Sequence, residues 1–550
     1  MVSERARGIR TRVQPQPLKK LPRLQKRKEP SDIQFAVPPR KVADNLLNLY
    51  WDFVDSAYPW LDRFSIESAY ETLWSKDGGA SIMDERVLHC FLNLMFATSC
   101  VASQGEPPLS RYQSSITFFD RAQQLMSYDL TDMYNFEMIQ ILLLTAVYLQ
   151  HDKEPQKCFR SIGTAIHIAQ ELGLHLPETT EAISDPRERA LARQVWNGCV
   201  IMDRISCMTF GCALKVPQGN AREGLNALMT RTLENTALPS KVNFYVSFCR
   251  LHYIIGEVLE TFYISNEDIV DEPHHPASKG YFEKFASLFR IESELISWAV
   301  DLHRFFQNPS DAQDPTPSKH ITREANILRA RYLSVRLLLF RPFLLQINQK
   351  PAQNNASSTR LYTDDQILSD VVLRCQLNCT RAAADMIAFI ARNRPEQTQT
   401  QAYILPSNWY TVSYIYMAVT TLLAAKMSQQ IMEHFSATHL PGLLNSARDI
   451  LKDYEAHATL ASRCSSVLRL IDENIDKGAV GGVVEPAAYP AMVPQHNNGD
   501  MVGQDTTNGI QEPQNFSENL DWVDKYAFDW NDWPTFFAQL DCDISPVGRW

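Results

Sequence analysis

Glycine is scarce in this chain, at 20 of 550 residues, about half the share of roughly 7% usual in globular proteins. The tight turns and close phosphate approaches that sheet-rich and nucleotide-binding folds take from glycine are correspondingly few. A P-loop, a dinucleotide-binding glycine fingerprint, a nucleophile elbow and a His-Glu-x-x-His zinc helix are all absent, which excludes the enzyme classes built on them. No Cys-x-x-Cys pair occurs among the 11 cysteines, so they form neither a disulfide framework nor a standard zinc motif. The first residues hold no apolar stretch followed by a small-residue cleavage site, the mark of a secretory signal. The longest apolar runs, 141–149 and 414–425, fall well short of the roughly 20 residues that cross a bilayer. An intracellular, soluble chain with no membrane partner is therefore expected.

Forty-five percent of the chain is hydrophobic and 10% aromatic, enough to bury a large core. At about 100–200 residues per domain, this length allows three or four domain-sized units or one large helical array. The net charge of -10 is unevenly spread: residues 1–41 carry twelve basic side chains against Glu4, Glu29 and Asp32, a net +9, whereas residues 481–550 carry eleven acids against Lys525 and Arg549, a net -9. A basic head and an acidic tail point to contacts with nucleic acid, import receptors or other proteins rather than to a uniformly charged enzyme surface.

Between them, periodic apolar segments run over 42–475. Cys158, Ile162, Ala165, Ile166, Ala169 and Leu172 recur every three or four residues, and Gly173 with Pro177 supplies a left-handed stop and a breaker. The next helix opens on Asp185 as N-cap, with Pro186 in its first turn and Glu188 at the capping-box position, and carries the stripe Leu191, Val195, Cys199 before Gly211. Further helices are predicted over 84–101, 132–150, 281–307, 321–348, 366–393, 407–433 and 443–472, with Pro342 ending or kinking its helix near Phe340 and Arg341. No strand alternation or β-α-β succession appears. The fold class expected is all-α, a large multi-helix array.

Residues 1–41 contain six prolines and no sustained apolar period, the composition of a disordered arm. Lys19, Lys20, Arg23, Lys26, Arg27 and Lys28 are compact enough to suit the acidic grooves of an import receptor, and they add salt-sensitive attraction to DNA phosphates; the plainer alternative is a solvated tail. Residues 476–517, rich in Gly, Pro, Asn and Gln, are expected to be a flexible linker. In 518–550, Trp522, Tyr526, Phe528, Trp530, Trp533, Phe536 and Phe537 are interleaved with acids. Such a segment keeps its aromatics solvated until it folds onto a partner such as a transcriptional coactivator; docking on the chain's own body is the alternative.

Metal and catalytic candidates are thin. Cys375 and Cys379 stand four residues apart, on one face of a helix, but no nearby His or Cys completes a four-ligand set; they and Cys207 and Cys212 are expected to be apolar core residues. His274 and His275, between Pro273 and Pro276, fall in an expected loop. A helical metal-dependent lyase would need clustered carboxylates, yet after Asp364 and Asp365 the third position is taken by Leu368, and the pair is better placed to cap the following helix. No catalytic, cofactor-binding or metal residue is assigned.

Several segments together resemble the middle homology region of fungal-specific transcription factors, the helical regulatory domain that usually follows a binuclear zinc, six-cysteine DNA-binding cluster. Tyr50-Trp51, Tyr58-Pro59-Trp60-Leu61 and Phe64 look like its opening segment; Ala165-Ile166 through Leu172-Gly173-Leu174-His175 is similar to its helix ending in Gly-Leu-His. Glu188-Arg189, Arg193, Val195-Trp196 and Asp203-Arg204 fit its next helix, and Leu338 through Arg341-Pro342-Phe343-Leu344 matches its late Arg-Pro-Phe segment. The resemblance runs over roughly 42–470. It implies a nuclear regulator of RNA polymerase II transcription, an activator, with DNA, coactivators, an import receptor and a second copy of the chain as partners. Two departures stand out. A Gly211-Cys212-Ala213 turn replaces the family's Gly-Arg-Pro, and no cysteine precedes Cys90, so the zinc cluster cannot be built from these residues. DNA recognition is then expected from a missing N-terminal cluster or a partner; a helical scaffold acting by protein contact alone is the alternative, and the lyase a distant third.

Overall fold

The computed structural model describes residues 35–75, 83–102, 108–126, 135–150, 155–229, 239–264, 277–307, 319–344, 362–394, 404–435, 439–455 and 459–480. Among them there is no strand. The helices are α1 (Arg40–Phe53), α2 (Arg63–Thr72), α3 (Glu85–Ala102), α4 (Pro108–Leu125), α5 (Phe136–Leu149), α6 (Pro155–Glu171), α7 (Pro177–Glu181), α8 (Pro186–Phe210), α9 (Gln218–Met229) and α10 (Lys241–Leu259), the last running into a π-helical turn at Glu260–Ile264. They continue as α11 (Ala277–Asp301), α12 (Arg304–Gln307), α13 (Lys319–Leu344), α14 (Tyr362–Arg392), α15 (Asn408–Lys426), α16 (Gln429–His434), α17 (His439–Glu455) and α18 (Thr459–Val480). The all-α array is thus observed directly.

Sequence neighbours pack as pairs, α3 on α4, α5 on α6, α13 on α14 and α17 on α18, and the pairs are tied by longer-range contacts of α8 with α10, α10 with α13, and α15 with α13, α14, α17 and α18. The two longest apolar runs explain the centre. Every residue of α5 is buried, and α15 is buried continuously from Tyr410 to Ala425 apart from the half-buried Ser413. A helix apolar on all sides must be enclosed by others. Neither these nor any other helix among the described residues is long and apolar enough to cross a membrane.

The predicted punctuation is observed at α6 and α8. Gly173 and Gly211 adopt positive φ of 71° and 65°, the conformation glycine takes at lowest cost. The Asp185 side chain accepts from the Arg187 amide to cap α8, with Pro186 at its start. A full capping box forms instead at α10, where Ser240 and Asn243 bond each other's amides, on a helix that the apolar periodicity of 241–259 had not marked. Helices α4 and α9 were likewise unmarked.

Several expected bounds move. Arg40 and Lys41, placed in the basic arm, belong to α1, and Arg40 bonds both oxygens of Glu71 at 2.8 and 3.0 Å. The body does not stop at 475: α18 extends to Val480, into the expected linker. The helix predicted over 281–307 breaks at Leu302 and His303, where the Gln307 amide donates to the carbonyls of Ala299, Val300 and Leu302 at 3.0–3.2 Å and so satisfies the end of α11. The helix predicted over 407–433 restarts at Ser428, which caps α16.

Pro342 neither ends nor interrupts α13, which continues to Leu344. Proline has no N–H, so in a regular helix the carbonyl four residues earlier, Leu338, loses its donor. The Tyr263 hydroxyl, from the π turn, donates to that carbonyl at 2.8 Å. A tertiary contact thus supplies the bond that the proline removes.

Candidate functional site

Two buried polar centres lie on the α8–α10–α13 axis. The first starts from the Asp203-Arg204 pair. Both side chains are 0% exposed, and Arg204 Nη1 donates to Asp203 Oδ2 at 2.5 Å. Asp203 also accepts from the backbone amides of Lys215 and Val216 at 3.0–3.2 Å. One buried carboxylate thus receives a charge-assisted bond and folds the segment after Gly211 back along α8. Cys207 Sγ closes the same turn on the Ala213 carbonyl at 3.3 Å.

Arg204 Nη2 donates to Gln218 Oε1 at 2.7 Å, and Gln218 Nε2 passes the chain of bonds to the Tyr253 carbonyl on α10 at 3.1 Å. Gly256 lets α10 approach: a Cβ there would stand 2.6 Å from both Arg204 Nε and Gln218 Oε1. Burial lowers the pKa of Arg204, and the adjacent Asp203 carboxylate opposes that effect.

The aromatic motif residues close around the same helices. Trp60 is fully buried, its Nε1 reaching the Tyr245 hydroxyl at 3.4 Å and its carbonyl accepting from Gln140. A Cβ on Gly198 would overlap the Trp60 indole, and one on Gly224 would stand 2.5 Å from Trp196. Trp196 lies beside His175 of the Gly-Leu-His segment, ring centroids 5.8 Å apart. Motifs that are separate in sequence are therefore contacts of one helix neighbourhood. Phe64 is the exception, at 68% exposed.

The second centre is Arg331, in the middle of α13 and 1% exposed. Its guanidinium carbon lies 4.8 Å from the Tyr410 ring centroid, 5.6 Å from Tyr414 and 5.9 Å from Phe248. The Tyr410 hydroxyl meets that of Tyr58 at 3.1 Å and donates to Gln150 Oε1 at 3.3 Å. His252 is 0% exposed and stands edge-on to Phe248. Its Nδ1 faces the Phe248 carbonyl at 2.8 Å; a carbonyl only accepts, so Nδ1 carries the proton and Nε2 presents a lone pair. Burial first, and Arg331 second, push the His252 pKa well below its usual range, and Tyr414 is pushed up to about 12 by burial. Met208 and Thr209 at the end of α8 and Trp409, Tyr410, Ser413, Tyr414 and Met417 of α15 enclose an adjoining cavity of about 20 Å³.

No group of three or more His, Cys, Asp or Glu side chains placed to hold a metal occurs among the described residues. Cys375 and Cys379 are core thiols whose pKa values burial pushes up to about 12. Cys207 is buried as well, and Cys212 is half-buried, packed against the core rather than within it. α14 starts at Tyr362, so Asp364 and Asp365 lie within its first turn rather than ahead of it. His274 and His275, the cluster Lys19, Lys20, Arg23, Lys26, Arg27 and Lys28, and the aromatics Trp522, Tyr526, Phe528, Trp530, Trp533, Phe536 and Phe537 lie outside the described residues. The second centre went unmarked in the sequence, although a signal existed. In the stripe Leu328, Arg331, Val335, Leu338, a cation occupies an apolar position, and His252 does the same between Phe248 and Ile255.

Residues 47–214 match the model of the fungal specific transcription factor domain, and the match covers the opening, Gly-Leu-His and Asp-Arg motifs. Among curated proteins the chain is similar to sorbicillinoid biosynthetic cluster transcription factor 2 of Penicillium rubens, 27% identical over 411 residues, covering 72% of this chain and 56% of that protein. It is also similar to transcription factor FBD3 of Fusarium pseudograminearum, 22% identical over 534 residues (93% of this chain, 66% of that protein). A third relative is activator of stress genes 1 of Saccharomyces cerevisiae, 20% identical over 467 residues (82% of this chain, 45% of that protein). The chain thus spans roughly half to two thirds of the length of these relatives.

Proposed function

We propose that the chain is a nuclear regulator of RNA polymerase II transcription, an activator whose helical body is its regulatory part. The observation that carries this is the order of the motifs along the helices, three of them inside the matched domain, in a chain whose similar proteins are called transcription factors. The name of one relative, activator of stress genes 1, favours activation over repression. In this proposal DNA recognition comes from a zinc cluster outside these residues or from a partner, since no cysteine precedes Cys90. The chain is not assigned catalysis, a cofactor or a metal. Lys19, Lys20, Arg23, Lys26, Arg27 and Lys28 engage an import receptor, and the aromatics between Trp522 and Phe537 enter a coactivator's groove as a segment that folds on contact. A homodimer places two such tails on one promoter.

The test is a fusion of residues 518–543 to a heterologous DNA-binding domain. It should activate a reporter and lose most of that activity when Trp522, Trp530 and Trp533 are changed to Ala; a silent fusion overturns the activation proposal. The full chain tagged with a fluorescent protein should enter nuclei and remain cytoplasmic once the six basic residues are changed to Ala. Specific DNA binding that the purified chain lacks and a partner restores would assign recognition to the partner rather than to a zinc cluster outside these residues.

A further inference from the structure

The middle of the body holds a positive charge without a counter-charge. Arg331 is 1% exposed; Tyr410 hydrogen-bonds it and, with Tyr414 and Tyr58, favours its charged form, but among the described residues no carboxylate pairs with it and its Nε and Nη1 have no hydrogen-bond partner. His252 Nε2, on a ring that stands edge-on to Phe248, is buried without a partner as well. Burying a lone cation costs several kcal/mol even after relaxation, and a cation–π contact returns only about 0.5–2 kcal/mol each. The same fold shows what a structural arginine receives: Arg204, equally buried, has a carboxylate at 2.5 Å and a glutamine at 2.7 Å.

A second observation points to a ligand. The cavity of about 20 Å³ is walled by Met208, Trp409, Ser413 and Met417 together with Tyr410 and Tyr414, and those two tyrosines are the rings nearest the Arg331 guanidinium, at 4.8 and 5.6 Å. Trp409 and Ser413 are half-buried, so the wall reaches solvent. The cavity as it stands takes about one water; two unbranched methionines in its wall can rearrange to enlarge it.

We propose that the body binds a small apolar or aromatic carboxylic acid here, its carboxylate received by Arg331 and its apolar part lying between Trp409 and the two methionines. The carboxylate supplies the counter-charge and accepts the unpaired guanidinium N–H groups. The rings of Tyr410 and Tyr414 border both the cavity and the cation, and one of them turns aside as the acid enters. A neutral ligand of the same shape gains nothing from Arg331, so charge selects among ligands of similar size.

The experiment is thermal unfolding of the purified full chain with sodium benzoate, with benzamide as the neutral isostere, and with sodium chloride at matched ionic strength. Benzoate should raise Tm by about 2 °C or more in a saturable manner, and benzamide and chloride should not. Arg331→Met should abolish the benzoate shift and Arg331→Lys should keep part of it. Ser413→Phe, which blocks the cavity from a half-buried position while Arg331 stays in place, should also abolish it and serves if the Arg331 variants do not fold. No shift with benzoate overturns the proposal, as does an equal shift with benzamide or chloride, or a full shift in Arg331→Met or in Ser413→Phe. The readout is binding alone, so its failure leaves the transcriptional proposal standing.

Discussion

Arg204 and Arg331 are both buried arginines, on two helices that each pack against α10, and the fold treats them differently. Arg204 is held by Asp203 and Gln218, and through them it ties α8, the turn after it and α10 together. Arg331 is surrounded by tyrosine and phenylalanine rings, with no carboxylate among its described neighbours. Removing one partner of a buried ion pair strands the other, whereas removing an unpaired buried charge also removes its own desolvation penalty. Burial alone therefore does not define a residue's role; Arg204 Nε is unpartnered too, and what differs is whether a carboxylate answers the charge.

The largest expected effect is on the answered centre. Asp203→Asn removes the charge that balances Arg204 and weakens the bonds to the Lys215 and Val216 amides. Urea unfolding should show a loss on the order of 3–5 kcal/mol, and a loss below about 1 kcal/mol would erase the distinction between the two centres.

A charge of opposite sign on α13 sharpens the comparison. Glu324 is 7% exposed, and burial pushes its pKa from about 4.5 up to about 7. A carboxyl whose folded pKa exceeds its unfolded value stabilises most below the unfolded value, and that contribution is lost as pH rises through about 7. Glu324→Gln should therefore be more stable than the parent at pH 8, by about 3 kcal/mol, and nearly equal to it at pH 4. Parallel stability profiles for the two proteins across that range would contradict the assignment.

Gly256→Ala presses a methyl group on Arg204 and Gln218, 2.6 Å away, and should cost about 1–3 kcal/mol in the same unfolding measurement. An unchanged midpoint would mean that α10 moves freely relative to α8. The smallest effect is expected at Tyr263→Phe, which leaves the Leu338 carbonyl without the donor that offsets Pro342, a loss of about 1 kcal/mol. Hydrogen exchange at the end of α13 should quicken with it; unchanged exchange there would show that the tyrosine bond does not support the helix.

Much of the fold was legible because it rests on local rules. Gly173, Gly211, Asp185 and Pro186 punctuate α6 and α8 as their chemistry requires. Pro342 does not end its helix because the bond that compensates for it comes from Tyr263, 75 residues from the Leu338 carbonyl it serves, and no local rule contains that information. The breaks at His303 and Ser428 depend on Gln307 and on a cap inside continuous apolar patterns. Helix α10 escaped notice because it is apolar on nearly all sides and loses the amphipathic period. In the candidate site, Asp203 and Arg204 were visible as a motif but not as a clamp, since the amides of Lys215 and Val216 reach Asp203 only in three dimensions. The Arg331 centre needed five separate segments, holding Tyr58, Gln150, His252, Arg331 and Tyr410, to be brought together.

The most direct test is a paired measurement: urea unfolding of Arg204→Met and Arg331→Met at pH 7 in buffer free of organic acids. Loss on the order of 3–5 kcal/mol for Arg204→Met, with Arg331→Met within about 1 kcal/mol of the parent, is the predicted result. Equal large losses would make Arg331 a structural residue like Arg204 and contradict the distinction between them.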